Sequence, residues 1–305
     1  MENTTMTALK KYQLNDVDYL TNSMFKDVLS MGERRGDRTG TGTISLFNVN
    51  HTFDCSNKFP VVTNKKVPLR VVFEELMWFL NGSTDLKWLL DRNVHIWDAD
   101  AYRDYQEKGG GLPFDKFIEM ASIYGYDLGN IYGKHWTDWN GEGFNQIEWV
   151  INEIKTNPES RRLYISAWHP TAFKNAALPC CHVAFQFYVS NKDTLNLKFS
   201  MRSNDLFLGY AFNVSSYGYL LFLVAAMTGL KVGTLTYDAG DAHIYLNHLK
   251  QVELQISREP FPQPQLKVNG VKEKITDYKW EDMEFTEYKH HETIKGKVSV
   301  GEVKK

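Results

Sequence analysis

Apolar residues recur at helical spacing across Tyr19 to Met31 and again from Val71 to Leu80, and they alternate with polar ones in Ile44-Ser45-Leu46-Phe47-Asn48-Val49. The first two segments predict helices and the third a strand, preceded by the Gly/Thr-rich loop Gly36 to Thr43. Farther on, Val183, Phe185, Phe187 and Val189 alternate with Ala184, Gln186 and Tyr188. Leu195, Leu197 and Phe199 alternate likewise with Asn196, Lys198 and Ser200. Turn residues from Ser190 to Asp193 separate the two runs, so they predict a hairpin. A register symmetric about that turn sets Val189 against Thr194 and brings Cys181 opposite Arg202; a slip of one residue would change both. After Leu208-Gly209-Tyr210, a largely apolar helix runs from about Val214 to Thr228 and stops at Gly229, a suitable C-cap.

No repeat or low-complexity linker divides the chain, so residues 21–300 read as one domain between a 1–20 extension and a 301–305 extension. Residues 101–128, broken by Gly109-Gly110-Gly111, read as an insertion on the surface. The Lys-rich tail after Glu292 is expected to be mobile unless it closes over something.

Composition narrows the function classes. The 305 residues are 43% hydrophobic and 24% charged, enough for a substantial core. A net charge of −2 gives no reason to expect nucleic acid, whereas a small anion needs only a few local arginines. Cys55, Cys180 and Cys181 make no disulfide framework, and no C-x-x-C or H-E-x-x-H spacing suggests a metal. The polar stretch Met1 to Asn22 lacks a secretory h-region, and the apolar run Tyr217 to Met227 is too short to span a bilayer. The expected location is the cytoplasm or a comparable reducing compartment.

Three sets of residues carry candidate chemistry. A lone cysteine is ordinarily a small buried hydrophobe, but a guanidinium from Arg202 across the hairpin would favour Cys181 as thiolate and nucleophile. His182 is adjacent in sequence, yet successive strand side chains face opposite ways, which places it poorly as a direct base for Cys181. Arg38, Arg161, Arg162 and Arg202, each ordinarily a solvated charge, would with Ser203 suffice for a phosphate. The Gly/Thr loop has no G-K-[ST] close, so a monophosphate fits better than a triphosphate. Glu75 either sits at a helix rim beside a cation or is buried with a raised pKa suited to moving protons.

These residues fall in runs that resemble the thymidylate synthase family. Arg38-Thr39-Gly40-Thr41-Gly42-Thr43, Trp78-Phe79-Leu80-Asn81-Gly82, Ile96-Trp97-Asp98, Ile131-Tyr132-Gly133 and Ser160-Arg161-Arg162 appear in the family's order. Leu178-Pro179-Cys180-Cys181-His182, Arg202-Ser203-Asn204-Asp205, Leu208-Gly209, Phe212-Asn213 and Gly240-Asp241-Ala242-His243-Ile244-Tyr245 follow. The resemblance covers about residues 20 to 300. It implies an α+β fold with a large twisted mixed β-sheet flanked by helices, dimerising through the sheet.

The resemblance also implies roles. The activity would be one-carbon transfer from 5,10-methylenetetrahydrofolate to C5 of dUMP, giving dTMP and dihydrofolate without a metal. Cys181 would attack C6 of the ring. Arg38, Arg202 and Ser203 would hold the phosphate, with Arg161 and Arg162 donated across a homodimer. His243 and Tyr245 would bind the 3′-hydroxyl, and Asn213 would read the base, favouring uracil. Glu75, with His182, would manage protons, and Tyr132 would help remove the C5 proton. Ile96, Trp97, Leu178, Asp205, Leu208, Gly209 and Phe212 would line the folate's pterin site, with Lys65 toward its glutamate tail.

Some positions depart from the family pattern. Cys180 replaces a proline, Ser200-Met201 precedes Arg202, Asn204 follows Ser203, Tyr210-Ala211 precedes Phe212, and Asp100 takes the place of a second tryptophan. The usual terminal carboxylate belongs at Val300, where Gly301 to Lys305 follow here. Looser closure would let water rather than hydride capture the methylene, so a dUMP hydroxymethylase is the alternative. Hydroxymethylases are relatives, and their cytosine-specific form resembles Met201 to Asp205. A non-catalytic nucleotide- or RNA-binding relative is the third reading.

Overall fold

The computed structural model describes residues 15–299. The first helix, α1 (Asp16–Met31), starts at Asn15, whose side-chain oxygen accepts from the Asp18 amide, and strands β1 (Glu33–Arg35) and β2 (Thr43–Asp54) follow. Next come α2 (Leu69–Leu80), α3 (Leu86–Leu90), α4 (Asp98–Glu107), α5 (Phe114–Tyr124), α6 (Tyr132–Thr137) and α7 (Gln146–Thr156). The hairpin region comprises β3 (Tyr164–Ser166), β4 (His182–Ser190) and β5 (Thr194–Asp205). The chain continues through α8 (Gly209–Thr228), β6 (Lys231–Tyr245), α9 (Leu249–Ser257) and a small β7 (Leu266–Val268) and β8 (Met283–Phe285) pair.

Six strands form one mixed sheet in the order β1-β2-β6-β5-β4-β3, with β5 and β6 parallel and the other pairs antiparallel. A parallel pair needs a crossover, and α8 supplies it. This helix is apolar on all sides, as a helix buried in a core should be. It is long and apolar enough by length and composition to cross a membrane, which the shorter run Tyr217 to Met227 did not predict, but 78% of its apolar window is buried in the protein. It ends as expected at Gly229, which takes a left-handed conformation with φ 69°.

One face of the sheet packs under α8 through Phe185, Phe187, Leu195, Leu197, Phe199, Leu235 and Tyr237. On the opposite face Phe47 is 85% exposed and Tyr188 65% exposed. Residues 101–128 depart from the expected surface insertion. They contribute α4, α5 and the fully buried Ala101, Phe117, Ala121 and Leu128, because apolar positions at helical spacing let both helices dock.

The hairpin register also departs from expectation. Ser190 pairs with Thr194 and Val189 with Leu195, because Asn191 and Lys192 take positive φ (52° and 67°) in a tight turn. A bulge between His182 and Ala184 then shifts the register by one, so His182 pairs with Met201. Cys181 therefore does lie opposite Arg202, whose amide donates to the Cys181 carbonyl at 2.8 Å. The slip at the turn and the bulge cancel.

That bulge belongs to a crease across the sheet. In β5 the buried positions are odd up to Met201 and then include Asn204; in β6 they are odd up to Ala239 and then include Ala242 and Ile244. Arg202 and Gly240 sit side by side at the change, between Met201↔Ala239 and Ser203↔Asp241, and Asn48 with φ 66° continues the line into β2. Breaks in alternation aligned across neighbouring strands re-aim side chains. Here they turn the strand ends toward a cavity.

Candidate active site

That cavity, of about 540 Å³, is lined by Glu75, Phe79, Trp97, Asp100, Tyr132, Cys181, His182, Asn213 and residues of β5 and α8. A larger recess of about 680 Å³ beside Asp54, Phe222 and Lys231 holds none of the candidate groups. Among the described residues, no group of three His, Cys, Asp or Glu side chains is arranged to hold a metal ion.

The floor is built from regular elements. Glu75 projects from α2 and accepts from Trp97 Nε1 at 2.7 Å; burial pushes its carboxyl up to about 7 despite that bond. Neighbouring Glu74 is the rim carboxylate, with Arg70 at 3.7 Å and Arg92 at 3.4 Å. Tyr132 opens α6, and its hydroxyl accepts from the Cys181 amide at 2.7 Å. His182 stacks on the Tyr132 ring at 3.7 Å, and its Nδ1 lies 2.8 Å from the Tyr217 hydroxyl. Burial holds the His182 imidazole down at about 3, so it stays neutral.

Cys181 and His182 line the same cavity, which strict strand alternation did not predict. Cys181 stands in the bend just before β4, whose ladder begins at His182, so alternation within the strand does not govern the pair. The thiol has Arg202 Nη2 at 3.5 Å, and Arg202 is itself clamped by the Cys180 and Pro179 carbonyls at 2.9 Å each. The expected thiolate meets an opposing effect, however. Burial pushes the Cys181 thiol up, while Arg202, Tyr132 and Arg38 pull it down without prevailing.

The folate-site candidates Ile96, Trp97, Leu178, Asp205, Leu208, Gly209 and Phe212 all line this cavity. Asp205 Oδ1 accepts from the Phe207 and Leu208 amides at 2.9 and 3.1 Å, which fixes the turn leading into α8. Lys65 does not line it. Its ammonium is buried, donates to the Phe207 carbonyl and lies 4.2 Å over the Phe207 ring, with burial drawing its pKa down to about 8. A cation held inside in this way is not placed to meet a solvent-side carboxylate tail.

Of the phosphate candidates, Ser203 lines the cavity and Arg202 borders it. Arg38 rides on the loop between β1 and β2. Asp37 organises that loop by accepting from the Thr39 amide at 2.8 Å and the Gly42 amide at 2.7 Å, with Gly40 and Gly42 at positive φ. His243 pairs with Asp205 across β5 and β6, and its ring lies 5.1 Å from that of Tyr245, beside the same strand ends. Arg161 and Arg162 are exposed in the turn before β3, at the sheet edge away from Arg38, and are not brought to this cavity.

The structure adds residues that pattern did not single out. Val298 lines the cavity, and the tail carrying it is tied down. Ser299 Oγ accepts from Thr41 Oγ1 at 3.2 Å, and His248 bonds the Lys297 carbonyl at 2.9 Å. The tail, expected to be mobile unless it closes over something, is held at the cavity as far as Ser299; Val300 and the 301–305 extension lie outside the described residues. Tyr217, hidden in an apolar run, gave no signal of its hold on His182. Asn204, noted only as a departure, turns out to touch Asn213, its Nδ2 donating to Asn213 Oδ1 at 2.9 Å.

Comparison with known proteins gives one answer. The family described as thymidylate synthase matches residues 19–300. A thymidylate synthase of Mycoplasma mobile is 43% identical over 287 residues, spanning 91% of this chain and 98% of its own length. One from Francisella philomiragia is 43% identical over 291 residues, with the same two shares.

Proposed function

The chain belongs to the thymidylate synthase family, and from that premise we propose how its residues divide the work of making dTMP from dUMP. It is a one-carbon transferase, and its relatives' shared name supports the synthase outcome over the hydroxymethylase alternative. The observation that carries the reading is convergence: Cys181, Glu75, Tyr132, His182 and Asn213 face one cavity although they come from four separate stretches of chain.

Cys181 Sγ forms the bond to C6 of uracil, with Arg202 at 3.5 Å stabilising the sulfur as it loses its proton. Arg202 and Ser203 also bind the phosphate, joined by Arg38 from its Asp37-organised loop. Asn213 pairs with the base edge, and His243 with Tyr245 binds the 3′-hydroxyl. Glu75, poised at about 7, takes and returns protons near neutral pH, with neutral His182 beside it. Tyr132 lies on the path by which the C5 proton leaves.

When bound, 5,10-methylenetetrahydrofolate supplies both the methylene and the hydride that reduces it. Trp97, Ile96, Leu178, Leu208, Gly209 and Phe212 offer the apolar walls a pterin needs, and Asp205 a polar anchor. Lys65 would reach the glutamate tail only by leaving the Phe207 carbonyl; where it stands, it braces Phe207 under the tail of the chain.

A homodimer completes the site in this reading. The exposed sheet face with Phe47 and Tyr188 is the contact, and it would bring Arg161 and Arg162 of one subunit to the phosphate of the other. Incubation with dUMP and methylenetetrahydrofolate tests the whole. Dihydrofolate appearing by absorbance together with dTMP by mass is the expected result. A product one oxygen heavier with no dihydrofolate would instead establish the hydroxymethylase.

A further inference from the structure

One end of the Asn213 side chain is already engaged. Its Oδ1 accepts from Asn204 Nδ2 at 2.9 Å, and Asn204 Oδ1 accepts from the Tyr237 hydroxyl at 3.0 Å. Asn204 and Tyr237 are both buried, with Tyr237 packed on the Tyr210 ring at 5.0 Å and the Phe199 ring at 5.5 Å. Gly209 closes in from the other side: a Cβ there would lie 3.2 Å from Asn204 Nδ2 and 3.5 Å from Asn213 Oδ1. The two amides have little room to move.

An amide keeps its shape when turned over but exchanges its donor and acceptor. Two asparagines in contact are therefore consistent in either of two directions, and a third group has to choose. Tyr237 is that group. A buried phenol whose hydrogen bond goes to one partner donates its proton, because a buried O–H without an acceptor is more costly than an unused lone pair. Donation by Tyr237 turns Asn204 Oδ1 inward and Nδ2 toward Asn213. That in turn sets Asn213 Oδ1 toward Asn204 and leaves Nδ2 as the other end.

We propose that Tyr237 and Asn204 form a positioning relay that locks the Asn213 amide in the orientation selecting uracil over cytosine. Uracil offers a donor at N3 and an acceptor at O4; cytosine offers an acceptor at N3 and a donor at N4. The locked amide matches the first pattern, and the reversed amide matches the second. Neither relay residue has to touch the base. This rests on Asn213 as base reader and adds what decides its direction.

Calorimetric binding of dUMP and of dCMP, without folate, tests the relay in the wild type, Tyr237→Phe and Asn204→Asp. Loss of the phenol leaves the direction unset, so Tyr237→Phe lowers the dUMP-to-dCMP affinity ratio by roughly tenfold, the worth of about one hydrogen bond. In Asn204→Asp the carboxylate accepts from both Tyr237 and Asn213 Nδ2, which turns Asn213 over and moves the preference toward dCMP. General damage to the site would weaken both nucleotides alike and leave the ratio standing. A wild type that prefers dUMP, with the ratio unchanged in both variants, overturns the relay and spares the base-reader role. A wild type with no preference overturns that role and the relay together.

Discussion

The floor and the rim of the cavity are made differently. Glu75, Tyr132 and His182 stand on helix and strand positions with Cys181 directly before β4; all are held by interior partners, and burial chiefly displaces their proton affinities. Arg38, Arg161 and Arg162 ride on a loop and a turn at opposite edges of the sheet. The floor is ready before anything binds, so its cost is met in folding. The rim is gathered by the ligand and, in the proposed dimer, by a second copy. Substitutions on the floor are expected to strike turnover, and those on the rim to strike binding.

The largest effect expected is from Cys181→Ala, which should abolish turnover, a loss beyond about 10³-fold, while dUMP still binds. Undiminished activity in a single-turnover assay would remove the covalent step altogether.

Glu75→Gln comes next, with kcat down by roughly 10²- to 10⁴-fold and dUMP affinity little changed. It carries a second signature. Because burial raises the Glu75 pKa from 4.5 to about 7, the folded chain holds a proton there that the unfolded chain has released. That contribution to stability is complete below pH 4.5 and is lost as pH rises toward and through about 7. The glutamine variant should therefore gain in melting temperature relative to wild type from pH 5 to 8. A constant difference across that range would mean the carboxyl is not desolvated as described.

The smallest effect falls on the rim. Arg161→Ala with Arg162→Ala should raise KM for dUMP by about ten- to a hundredfold, as loss of charge-assisted bonds does, with kcat less affected. Mixing this variant with Cys181→Ala distinguishes the two regions directly. If the arginines serve the partner's site, the mixed dimer has one complete site and the low, wild-type KM for dUMP returns. If they serve their own chain, nothing returns.

How far this could be read from sequence depends on how local each cause was. The alternation around Phe185 and Leu197 and the apolar helix ending at Gly229 are near-neighbour patterns, and they located β4, β5 and α8. The opposition of Cys181 and Arg202 was reached through two misplacements that cancelled. Positive φ at Asn191 and Lys192 and the bulge after His182 depend on backbone geometry that side-chain periodicity does not encode. Alternation put Cys181 and His182 on opposite faces, but Cys181 precedes β4 and stands in a bend where strand alternation does not apply. Its place in an apolar helical segment marked Glu75, and resemblance supplied Asn213, but neither gave the Trp97 bond or the Asn204 contact, which depend on how distant segments pack.

The crease through Val183, Arg202, Gly240 and Asn48 also bears on how fast ligands come and go. It lets Ser203, Asn204 and Asp205 reach the cavity while still laddered to Asp241, Ala242 and His243. Strand segments of this kind open only with much of the molecule, so this wall offers no exit. Ligand traffic has to pass the other side, where the Arg38 loop and the tail meet through the Thr41–Ser299 and Asn247–Ser299 hydrogen bonds. Residence time would then be governed by a few hydroxyl and amide contacts at the mouth, far weaker than the sheet behind them.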